Sequence, residues 1–235
     1  MGKQQYLIVG GTSGIGRALV KTLSGEGHEL IVMGRRERPD ELPQDVRYLR
    51  CNVLSEDLDS LTIADNLQGM AYFPGSITLK PFSRTSEATL EEDLDINLKG
   101  AFRVLQAVED ALKSGESPSN AVFFSTVAAE VGLKYHASIA AAKAGLEGLV
   151  KSVAAEWAPT VRLNLIAPSL TETPLAEKLL DSDSKRERSL DRHPTRSINK
   201  PAEVAKQARL LLEGDLNVTG RTIPLDGGMA TVRTK

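Results

Sequence analysis

The chain has 235 residues, 41% of them hydrophobic and 26% charged, the balance of a soluble globular protein with enough length to bury a core without cross-links. Its 29 Lys and Arg stand against 31 Asp and Glu, a net charge of −2 that argues against a nucleic-acid or membrane-binding surface. The single Cys51 excludes an intramolecular disulfide and a cysteine-rich metal site, and His28, His136 and His193 lie too scattered for a zinc motif, so no metal is expected.

Short β-rich runs alternate with longer helical patterns. Strands are predicted at 6–10, 29–33, 46–53, 70–74, 121–125, 161–167 and 221–225, and helices at 14–26, 55–67, 89–113, 137–157 and 201–213. Pro201 suits the first turn of the last helix, where a missing N–H is harmless. Alternation of this kind implies α/β architecture, a Rossmann-type doubly wound parallel sheet with helices on both faces. Without repeats or low-complexity linkers, residues 1–235 read as one domain. Its polar segment 181–200 reads as a solvated loop by composition and, by its place in the chain, as part of a mobile lid over about 169–200. No apolar run has the length of a membrane span, and the N-terminus lacks a signal-peptide pattern, so a cytoplasmic location is expected.

The stretch "YLIVGGTSGIGRALVKTL" joins a strand, a glycine-rich turn and an amphipathic helix. Gly10, Gly14 and Gly16 permit a tight turn and close approach to a pyrophosphate, with the N–H groups and positive dipole end of the helix beside it. The second strand ends in "VMGRRER", where an NAD-preferring fold generally has an acid for the ribose 2′-hydroxyl. Arg35 and Arg36 stand there instead, and guanidinium forks suit a 2′-phosphate, so NADP(H) is the expected cofactor. Ordinary surface arginines would look the same.

From about Gln5 to Ala230 the chain resembles the classical short-chain dehydrogenase/reductase family, with its motifs in order. "GGTSGIG" resembles the cofactor loop, which implies cofactor contacts at Gly10, Thr12, Ser13, Gly14, Ile15 and Gly16. "CNV" resembles the adenine-holding segment, with Asn52 where an Asp is usual and Val53 after it. In "YFPG", Pro74 and Gly75 stand where the family has Ala-Gly, and both preceding asparagines are gone. "VRLNLIAPSLTETP" resembles the nicotinamide loop, implying contacts at Pro168, Leu170 and Thr173, with Ser169 replacing a usual glycine. The resemblance further implies a small-molecule substrate and a homodimer or homotetramer built on the long helices 89–113 and 137–157.

The family's active site is an Asn–Ser–Tyr–Lys set, in which the lysine lowers the phenol pKa and holds the nicotinamide ribose. Matched by motif, Asn97 is the asparagine, Lys143 the lysine and Thr126, thirteen residues before the tyrosine position, the serine. The tyrosine position is Ile139, which can neither give nor take a proton. A divergent enoyl-reductase branch of the superfamily carries its tyrosine seven residues before the lysine, which here is the place of His136, with Tyr135 beside it, and either is a candidate acid. A loop simply leading into a helix would contain the same residues. Two readings stay open: an NADP(H)-dependent oxidoreductase acting on a carbonyl, hydroxyl or activated enone by an altered proton route, or an NADP(H)-binding sensor or scaffold without turnover.

Overall fold

The computed structural model describes residues 3–58, 60–61, 63–115 and 117–233. Seven parallel strands form one sheet: β1 (Gln5–Val9), β2 (Glu29–Gly34), β3 (Arg47–Arg50), β4 (Gly69–Tyr72), β5 (Ser119–Phe124), β6 (Val161–Pro168) and β7 (Thr222–Leu225), in the order β3-β2-β1-β4-β5-β6-β7. Strand direction of travel across the sheet therefore reverses between β1 and β4, the switch point where doubly wound folds open a crevice.

Alternation along each strand feeds two cores. Leu7 and Val9 of β1 point to a layer built from α3 (Gly100–Lys113) and α4 (Ala137–Trp157), where Val104, Leu105, Leu146 and Val150 are buried. Tyr6 and Ile8 point the other way, toward Leu19 and Val20 of α1 (Gly14–Gly25) and Val204 and Leu211 of α6 (Pro201–Glu213). Burying both faces of the sheet explains why its central strands are near-continuous apolar runs.

Three sequence expectations need correction. Residues 55–67 contain no helix among the described residues. Asn52 Oδ1 instead accepts from the Leu54 N–H and Ser60 Oγ donates to the Asp57 carbonyl, while Arg103 donates to the Val53 and Glu56 carbonyls. Short polar side chains compete with helical hydrogen bonding in this way, and buried Leu58, Ile63 and Leu67 tack the segment to the core without helical periodicity. The single helix expected at 89–113 is broken into α2 (Glu87–Leu94), a π-helical turn at Asp95–Lys99 and α3. The segment 181–200 is not simply a loop: α5 (Asp183–Asp191) starts at Ser182, whose side chain accepts from the Lys185 N–H.

Candidate active site

The C-terminal ends of β1, β4, β5 and β6 border a cavity of about 930 Å³. Gly10, Ser13, Gly14, Ile15 and Gly16 form one wall. Gly10 and Gly14 have φ of +80° and +52°, open to glycine at little strain. A Cβ on Gly16 would sit 2.5 Å from the Gly10 carbonyl oxygen, so only glycine lets the start of α1 press against the turn. Ser13, at the N-cap of α1, makes no side-chain capping bond, which leaves first-turn N–H groups for a ligand. This glycine-rich cradle, backed by a helix N-terminus, fits a pyrophosphate.

Arg35 and Arg36 follow β2 and are exposed, and neither has an ion-pair partner among the described residues. Tyr48 Oη donates to the Arg36 carbonyl and fixes that turn, while the neighbouring Glu37 is taken by Arg50. The pair is thus free for an anion. Asn52 and Val53 begin the adjacent turn, with the Asn52 side chain engaged in its own loop. Thr12, Arg35, Arg36, Asn52, Val53, Pro74 and Asn97 do not line the cavity itself, whereas Gly75, Pro168, Leu170 and Thr173 do. Thr173 lies against Gly14, so the segment after β6 meets the glycine turn directly.

At the other end of the cavity stand Thr126, Ile139 and Lys143. Ile139 and Lys143 are 5% and 8% exposed, one turn apart on α4. Lys143 Nζ donates to the Phe124 carbonyl at 2.7 Å. Burial lowers its pKa to about 8, partly opposed by the charge of Asp93. Thr126 Oγ1 accepts from the Ala128 N–H at 3.3 Å, which leaves its own proton to donate. Tyr135 and His136 border the same cavity. Tyr135 is held at φ +72°, uncommon for an aromatic residue. His136 Nδ1 donates to the Lys134 carbonyl at 2.7 Å, which commits that nitrogen's proton.

Asn97 is fully buried inside the π-helical turn. Its side-chain amide donates to the Asp93 carbonyl (2.8 Å), the acceptor an α-helix would offer to Asn97's own N–H, and to Ser76 Oγ (2.9 Å). That competition accounts for the bulge. Ser76 and Thr78 both donate to Asp93 Oδ1, at 2.5 and 2.9 Å. Asp93 Oδ2 and Asn97 Oδ1 have no hydrogen-bond partner among the described residues. Gly75 keeps the space between: a Cβ there would lie 3.1 Å from Asn97 Oδ1 and 3.5 Å from Lys143 Nζ. Sequence reasoning missed Asp93 and Ser76, although an acid four residues before Asn97 was a usable signal.

A second missed network fastens the segment that follows β6. With Nδ1 donating to the Ser189 carbonyl (2.6 Å), His193 Nε2 accepts from Ser169 Oγ (2.8 Å), which in turn accepts from Asn199 Nδ2 (3.2 Å). Ser169 thus ties the end of β6 to the residues that follow α5. Away from the cavity, His28 meets Glu26 and Glu213, with their ligating atoms within 4.8 Å of one another. Arg209 Nε reaches both carboxylates, at 2.9 and 2.7 Å, and supplies the cation that cluster needs.

A glycine cradle at the switch point of a parallel sheet defines a dinucleotide-binding α/β protein. A family model described as enoyl-(acyl carrier protein) reductase matches residues 9–230. The 3-oxoacyl-[acyl-carrier-protein] reductase FabG of Thermotoga maritima is 34% identical, covering 95% of this chain and 96% of its own length. The 3-oxoacyl-[acyl-carrier-protein] reductase MabA of Mycobacterium tuberculosis is 29% identical over 96% of this chain and 92% of its own. Among solved structures, a short-chain dehydrogenase family protein from Francisella tularensis superposes with a TM-score of 0.90 at 21% identity, covering 98% of this chain and 100% of that one. ElxO with NADP bound superposes at 0.89 and 20% identity, with the same coverage. The chain belongs to the short-chain dehydrogenase/reductase family, a family of oxidoreductases that bind a nicotinamide cofactor. No helix among the described residues is long and apolar enough to cross a membrane.

Proposed function

We propose that the protein is an NADP(H)-dependent oxidoreductase that reduces or oxidises a small carbonyl, hydroxyl or activated enone compound by a proton route that bypasses residue 139. The observation that carries this reading is one cavity joining the glycine cradle to Thr126 and Lys143, with an aliphatic side chain at the position one turn before the lysine. NADP(H), when bound, supplies the hydride chemistry.

In this reading the Gly10–Gly16 turn holds the pyrophosphate and Arg35 and Arg36 take the 2′-phosphate. Lys143 serves the nicotinamide ribose, and Asn97 braces the helix beneath it. Thr126 donates a hydrogen bond to the substrate oxygen and orients it. Thr126 has no base beside it, so it is a poor proton source. Tyr135 or His136, bordering the same cavity, delivers the proton; His136 does so as imidazolium, because its Nδ1 proton is committed to Lys134. Lys143 at about pKa 8 is a third source. NADPH oxidation by wild type over a panel of ketones, quinones and enones tests the reading, and loss of turnover in Tyr135→Phe or His136→Ala identifies the acid.

Ile139 favours a second reading, an NADP(H)-binding sensor or scaffold. Tight NADPH binding with no turnover across the panel would establish it. A cytoplasmic homodimer or homotetramer through α3 and α4 belongs to both readings, and the outward Phe102 of α3, 45% exposed, suits such a contact.

A further inference from the structure

We propose that this cavity is built for a substrate with an apolar body and an anionic end, a carboxylate or a phosphate, received by Lys134, Arg188 and Arg192. The inference rests on the oxidoreductase reading for its reaction, but its binding claim stands on this chain's own residues.

Acids slightly outnumber bases over the whole chain, 31 to 29. The cavity lining nevertheless contains Lys134, Lys143, Lys185, Arg188 and Arg192 and neither an Asp nor a Glu. Two of the five are already engaged: Lys143 with the Phe124 carbonyl, and Lys185 with Asp181 at 2.7 Å and the Lys178 carbonyl. The other three have no ion pair among the described residues. Arg188 spends only its Nε, on the Ser184 carbonyl of its own helix, which leaves both terminal nitrogens as a donor fork.

The lid sorts its arginines by face. Arg186 pairs with Glu172 at 2.6 Å, and Arg196 pairs with Glu187 and Asp191 at 2.6 and 2.7 Å; neither lines the cavity. Arg188 and Arg192, one helical turn apart and so on one side of the lid, line it and are unpaired. Cations near the end of α5 also suit its dipole, but that preference does not explain why those facing the cavity lack partners while the others have them. Ile77, Leu79, Leu133 and Leu179 supply apolar wall for the rest of a ligand. The cofactor's own phosphates are accounted for at the glycine turn and at Arg35 and Arg36. Exposed ion pairs are individually weak, so three cations acting on one anion give roughly a tenfold preference.

Calorimetric titration of the full chain with 4-carboxybenzaldehyde, its methyl ester and 4-formylphenyl phosphate, each with and without NADP⁺, which has no hydride to give an aldehyde, tests this. The acid or the phosphate should bind about tenfold tighter than the ester, and whichever is tighter names the anion. The preference should weaken with salt, collapse in Arg188→Ala/Arg192→Ala and persist in Arg186→Ala. Equal binding of ester and anions, no binding of any probe, or a preference that survives the double substitution overturns the proposal. So does a double variant that loses NADP⁺ affinity in step with its anion preference, since the arginines would then serve the cofactor. An anion preference without any NADP⁺ binding sinks the oxidoreductase reading alone.

Discussion

Replacing Ile139 by tyrosine puts a phenol one turn before Lys143, on the same helix face, where side chains four apart stand about 5–6 Å from each other at Cβ. Ile139 already lines the cavity, so the longer ring extends into open space rather than into packed core, where overpacking would cost about 1–3 kcal/mol. The ammonium favours the phenolate and lowers the phenol pKa from its usual value near 10. Thr126 keeps a free proton for the substrate oxygen. A positioned general acid contributes about 10²–10⁴ in rate, which corresponds to roughly 3–5 kcal/mol of transition-state stabilisation. In a Tyr135→Phe/His136→Ala background, where neither of those residues delivers the proton, adding Ile139→Tyr should therefore raise the NADPH-dependent reduction of a simple ketone by at least about 10². Steady-state kinetics on both proteins, with NADPH affinity measured alongside, give the comparison. A folded variant that binds NADPH as wild type does, yet gains less than about threefold, refutes the placement of a proton-transfer position at residue 139.

Lys143→Met separates two roles. Below pH 8 the folded wild type carries a buried ammonium that the unfolded chain keeps in water, a penalty on the order of 3 kcal/mol; as pH rises from about 8 toward 10.5 the folded lysine is neutral while the unfolded one is still charged, so wild type gains about 2 kcal/mol on the variant between pH 7 and about 9.5. Urea denaturation at the two pH values reads that gain, and a stability difference independent of pH contradicts the burial argument. The same variant should lose about tenfold in NADPH affinity if the ammonium serves the ribose, and unchanged affinity rules that role out. Arg35→Ala/Arg36→Ala should weaken NADPH binding about tenfold and leave NADH binding unaltered; equal losses for both cofactors would assign the pair to something other than the 2′-phosphate. Gly16→Ala drives a methyl against the Gly10 carbonyl, so thermal unfolding should fall by about 1–3 kcal/mol and NADPH binding should drop with it. Retention of both shows that α1 moves away at no expense.

Much of the fold was legible locally. The strand–helix alternation, the glycine turn and the lysine one turn after Ile139 are short-range patterns, and the helices at 137–157 and 201–213 lie at the residues expected. Both faces of a parallel sheet need helices over them, so the order of apolar runs carries the architecture. Tertiary contact decided the rest. The described residues of 55–67 follow Arg103 and the α3 core rather than helix propensity. The π-helical turn exists because Asn97, Asp93 and Ser76, from two separate segments, bond one another in the interior. Ser169 and His193 are twenty-four residues apart yet make one joint between β6 and the residues after α5. The sorting of Arg188 and Arg192 from Arg186 depends on where each acidic partner lies in space. Composition records that such groups exist, and local periodicity records which face of an element is apolar. Which polar group meets which is set only when distant segments close on each other, because the energy of a buried hydrogen bond or ion pair depends on a partner within a few ångströms.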